Sequence, residues 1–156
     1  MTPPLNDLSI LWYTPSRARD RVDAAVALAT KSPYTHTALR LGDWSLHIGG
    51  ALRSTWLYQP EWDKQWTPCL ECRIGSFHRH ALDPGLVQYE GRRLSRSLML
   101  PWAVLGLYYG LWLPEPETCV RLTKEVLFRE FNIRMSGRTP QELLNEARLF
   151  GQVATY

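Results

Sequence analysis

Long apolar runs, disulfide-style cysteine usage and concentrated charge are all missing from this chain, and each absence excludes a class of protein. Three cysteines, an odd number, do not build a secreted disulfide framework. The first residues hold no basic region followed by a long apolar core; residues 8–13 amount to a single strand. No secretory signal is therefore expected, and synthesis in a reducing cytoplasm is. Residues 98–113 carry no charge, yet they fall short of the ~20 residues that a bilayer span needs. They also contain Pro101, Gly106 and Gly110, so a core-buried segment is expected rather than a transmembrane one, with interfacial membrane contact as the lesser alternative. Lysine and arginine (18) barely outnumber aspartate and glutamate (15) and are scattered, apart from a short cluster at Arg92, Arg93 and Arg96. No basic stripe with interleaved aromatics stands out, which disfavours a nucleic-acid partner. Repeats, low-complexity tracts and linkers are missing too, and residues 1–156 are expected to form one domain with a sizeable core.

What is present begins with Thr35-His36-Thr37-Ala38-Leu39-Arg40-Leu41-Gly42-Asp43-Trp44-Ser45-Leu46-His47-Ile48. Side chains alternate along a strand, so His36, Ala38 and Arg40 share one face, while Thr37, Leu39 and Leu41 share the other. Gly42-Asp43 suits a two-residue type II′ turn, with glycine at the first central position. That turn pairs Leu41 with Trp44 and, counting back, sets Ala38 opposite His47. His36 and His47 then become diagonal neighbours on one face, about 7–8 Å apart at Cα. A three-residue loop would move His47 to the opposite face. The plain alternative is two satisfied histidines on a sheet surface.

Elsewhere the pattern predicts a buried strand at 8–13. A helix should open at Thr14-Pro15, with Val22, Ala25, Val26 and Ala29 as its apolar stripe, and end at Ser32-Pro33. A strand is expected at 51–58, a loop at 59–68 carrying Trp62 and Trp66, and a strand at 69–74. Asp83-Pro84-Gly85 should turn the chain into an amphipathic helix reaching Arg96. A helix starting near Thr118 should turn Val120, Thr123, Leu127 and Phe131 inward. Thr139-Pro140-Gln141-Glu142 is a capping box opening a last helix. Together these elements read as α+β, a small antiparallel sheet packed against helices.

Cys119 falls in the first turn of the predicted helix, where the helix dipole and unsatisfied backbone N–H groups favour a thiolate and can hold an oxyanion. Because cysteine is also among the most buried residue types, a structural thiol is the competing reading.

The His36…Gly42-Asp43…His47 hairpin followed by Cys119 at a helix start resembles the circularly permuted NlpC-type cysteine hydrolases of the papain-like superfamily. That group includes YiiX-like and lecithin:retinol acyltransferase-like proteins. The resemblance runs from Tyr34 to about Leu144 and includes the Thr139-Pro140…Leu143 stretch. It implies a permuted papain-like fold in which Cys119 is the nucleophile, His36 its general base and His47 the residue that orients the base. Tyr109 and Tyr108 stand where relatives carry an assisting tyrosine. The activity implied is amide or peptide hydrolysis through a thioester acyl-enzyme, without a cofactor. Peptidoglycan peptides are the substrate class that the NlpC branch implies. A phage setting, with virion proteins as partners, is a further expectation. The alternative is the same scaffold kept as an inactive binding or virion structural module.

One cluster competes. Cys69 and Cys72, followed by His78 and His80, offer zinc-type ligands close in sequence. On a strand, however, Cys69 and Cys72 would point to opposite faces, so the segment alone is not expected to ligate through both. The same residues are otherwise buried thiols and loop histidines.

Overall fold

The interior strand, β1 (Asn6–Tyr13), is apolar for most of its length because both of its faces are covered: residues 8–13 are all buried. The computed structural model describes residues 2–14, 21–48, 53–58 and 69–155. After β1 come α1 (Arg21–Thr30), β2 (His36–Leu41), β3 (Trp44–Ile48), β4 (Ser54–Tyr58), β5 (Leu70–Phe77) and the short α2 (Pro84–Val87). Next is α3 (Arg96–Pro101), which runs directly into a π-helical stretch (Trp102–Tyr108). The chain continues through α4 (Cys119–Phe131), α5 (Pro140–Phe150) and β6 (Gln152–Thr155). The strands form one sheet in the order β4-β3-β2-β1-β5-β6, with every pairing antiparallel. The molecule is α+β.

Alternation sorts the sheet into two faces. One carries Leu8, Ile10, Trp12, Leu39, Leu41, Leu46 and Cys72, and against it pack Val126 and Leu127 of α4 with Leu143, Leu144 and Ala147 of α5. Hydrogen bonds pin this layer: Trp12 Nε1 donates to Pro140 O at 2.9 Å, and Cys72 Sγ donates to Ala147 O at 3.3 Å. The other face carries Leu11, Tyr13 and Ala38, a separate buried cluster.

The helix caps follow the sequence. Thr118 accepts from Arg121 N at the start of α4, and Thr139 with Glu142 completes both halves of the capping box of α5. Val120, Thr123, Leu127 and Phe131 are buried, as their spacing predicts. Asn132, in the left-handed conformation, ends α4.

Other expectations need correction. Residues 88–95 do not extend a helix: α2 stops after one turn. Gly91 N donates to Ser54 O, Ser54 N donates to Arg92 O, and the Glu90 carboxylate accepts from Trp56 N. Pairing with β4 overrides the local helical pattern. Residues 98–113 are not a core segment either. Trp102, Ala103 and Gly106 are buried, but Leu98, Leu105, Tyr108, Tyr109, Leu111 and Trp112 are exposed. Pro101 ends the regular turns and has no N–H to donate; the helix then widens, with Tyr109 N bonding to Val104 O. Residues 15–20 of the expected first helix, residues 51–52 of the third strand and the loop of Trp62 and Trp66 lie outside the described residues, as do the Val22 and Val26 side chains.

Candidate functional site

The hairpin that carries the histidines forms in the predicted register, with Leu41 opposite Trp44, Arg40 opposite Ser45 and Leu39 opposite Leu46. Gly42 takes a φ of +58°, and Asp43 does not share that sign, which is the pattern a II′ turn requires. A side chain at Gly42 would also strike the Asn6 carboxamide, so glycine is needed for space as well as for conformation. The result brings His36 and His47 together, with ring centroids 5.1 Å apart. A third ring completes the group. Tyr13, paired with His36 across β1 and β2, lies 5.3 Å from the His36 ring and 5.9 Å from the His47 ring. Sequence reasoning missed Tyr13 because its partnership depends on strand order, which no local spacing encodes.

The environment holds both imidazoles neutral. Burial, and after it the neighbouring His47, together push His36 down to about 3. Burial likewise brings His47 to about 4, partly opposed by a hydrogen bond with the Ile48 backbone. Along the same face Arg40 makes an ion pair with Glu71 at 2.6 Å.

Cys119 is the first residue of α4, and its burial is nearly complete, with 5% of its surface exposed. It belongs to the core between the sheet and the helices, not to the cluster of Leu11, Tyr13 and Ala38. One turn further along α4, Thr123 Oγ1 meets Thr37 Oγ1 at 3.4 Å. Thr37 points away from the face of its strand neighbours His36 and Ala38. The two histidines therefore share one side of the sheet, and the middle of α4 packs on the other.

Tyr108 and Tyr109 stack edge-on at 5.1 Å and face solvent at the end of the π-helical stretch. The Cys69, Cys72, His78 and His80 residues are dispersed. Cys69 Sγ lies 3.0 Å from Thr14 Oγ1, and Cys72 is buried under α5, where burial raises its thiol. His78 Nδ1 bonds with Pro3 O, and His80 Nδ1 accepts from Leu82 N. Among the described residues no group of three or more His, Cys, Asp or Glu side chains is arranged to hold a metal. All three cysteines are thiols.

Compared with protein-family models, curated proteins and solved structures, the chain matches none.

Proposed function

We propose that this chain is a small α+β module that works by presenting surfaces rather than by thiol chemistry, a scaffold of papain-like type in which Cys119 is structural. The observation that supports this reading most is that Cys119 is buried in the core that α4 shares with the sheet, whereas the His36 imidazole lies beside Tyr13. Nucleophile activation needs the two groups within hydrogen-bond reach. A base held at about 3 is also poorly matched to proton abstraction near neutrality.

A second reading is the amide or peptide hydrolase, with Cys119 as nucleophile, His36 as base and His47 orienting it. Its support is that Cys119 does open a Thr118-capped helix, where a thiolate and an oxyanion are both favoured. The two histidines also meet in the hairpin.

Alkylation kinetics separate the two. With iodoacetamide under native conditions, the module reading expects half-buried Cys69 to react first and Cys119 to stay protected until unfolding. Fast, selective labelling of Cys119, persisting below the pH range of an ordinary thiol, would overturn it in favour of the hydrolase. Release of peptides from peptidoglycan, lost in Cys119→Ala, would do the same.

A further inference from the structure

The apolar segment that the core does not absorb has the composition of a lipid-facing surface. Residues 97–114 contain no charged side chain. Of these, Leu98, Leu105, Tyr108, Tyr109, Leu111 and Trp112 present large apolar side chains to solvent, with Trp112 87% exposed. Contiguous exposure on this scale is unusual for a soluble surface and marks an interaction site. Beside it runs an open groove of about 600 Å³, lined by Leu98, Pro101, Trp102, Leu105 and Leu113 together with the charged Glu115, Glu117 and Arg121. Its apolar wall offers room for an acyl chain.

The charges around this patch argue for the occupant. Lys31 is exposed and lines a pocket with Leu107, Tyr108 and Glu142. Arg138 lies over the Trp102 ring at 5.3 Å and donates to Leu113 O. Neither has a carboxylate partner among the described residues. The acids nearby are engaged: Glu115 with Lys124, Glu117 with Arg92 and Arg121, and Glu142 with the backbone N–H groups of Arg138 and Thr139. Aromatic and leucine side chains with cations at their margin are the pattern of a segment lying in the plane of an anionic membrane interface. Among the described residues no helix is long and apolar enough to cross a bilayer, so contact would be with one leaflet.

We propose that the π-helical stretch and the irregular residues after it dock on an anionic lipid surface, inserting Leu105, Leu111 and Trp112 into the headgroup–acyl boundary, with Lys31 and Arg138 against the phosphates. This goes beyond the module reading and does not depend on the fate of Cys119.

The test is co-sedimentation of the full chain with vesicles of equimolar phosphatidylcholine and phosphatidylglycerol, and with phosphatidylcholine alone. The chain is expected to pellet with the mixed vesicles and more weakly with the neutral ones. The Leu105→Ser, Leu111→Ser, Trp112→Ser triple variant should lose about tenfold or more in partitioning. Leu149→Ser, at an exposed leucine on α5, should bind like the parent, and far-UV circular dichroism should show both variants folded. A parent chain left in the supernatant overturns the proposal. So does a folded triple variant that binds equally well, since charge alone would then suffice. A parent that dimerises through this patch and ignores vesicles also overturns it, identifying a second copy as the occupant.

Discussion

At the scale of single residues, the two buried histidines make the clearest demand. An imidazole ordinarily titrates near 6.5, whereas His36 is held at about 3 and His47 at about 4. As pH falls below ~6.5 the unfolded chain takes up protons at both positions and the folded chain does not, so stability falls with pH down to ~4. Each group is expected to lose about 2 kcal/mol between pH 7 and pH 5. Urea midpoints at the two pH values measure it, and the His36→Gln, His47→Gln double variant should flatten the difference. Trp12 makes a different demand. Its indole N–H serves the carbonyl of Pro140 inside the core, and Trp12→Phe would leave that oxygen without this donor and open space. A loss of about 1–3 kcal/mol is expected for the polar part alone, read from chemical denaturation at pH 7.

At the scale of elements, caps and turns were legible in the sequence and long-range pairings were not. Gly42-Asp43 dictates a hairpin whatever surrounds it, and Thr139…Glu142 announces α5, because both signals act within four residues. Thr139→Ala removes the side-chain half of that box and should cost about 1 kcal/mol, seen as a lower melting temperature with the fold unchanged. Residues 88–95 were illegible for the opposite reason: Ser54 and Glu90, far apart in sequence, settle their conformation. β6 was equally hidden, since its four residues are all exposed and show no apolar alternation. What ties it down is close approach. A Cβ at Gly151 would collide with the backbone carbonyl of Arg73, so Gly151→Ala should strip β6 from β5, with faster amide exchange at residues 152–155 and little change in α5.

At the scale of the whole molecule, polar networks attach the 79–92 segment to α4. Arg79 bridges Asp83 and Glu130, and Tyr89 donates to Glu130; burial first, then that carboxylate, pushes the phenol up to about 12. Arg92 meets Glu125 and Glu117, a hydrogen bond to Glu125 being the main cause of its raised pKa. Glu130→Gln removes the shared acceptor charge and should lower the melting temperature through loosening of α2 against α4, most strongly at low salt. The candidate site shows where sequence reasoning stops. Alternation correctly put His36 and His47 on one face, because that is a property of one hairpin. Whether a distant helix packs on that face or on its reverse depends on Thr37 and Thr123 finding each other across 86 positions of chain.

The π-helical stretch accommodates one residue more than regular α-helical winding would hold over the same rise. Such a surplus is erasable in a single step. Excising Gly106 would let the backbone rewind to regular α-helical winding over that rise. Leu107 and Tyr108 would keep their direction, so the wide turn would vanish without re-aiming the amino acids that follow it.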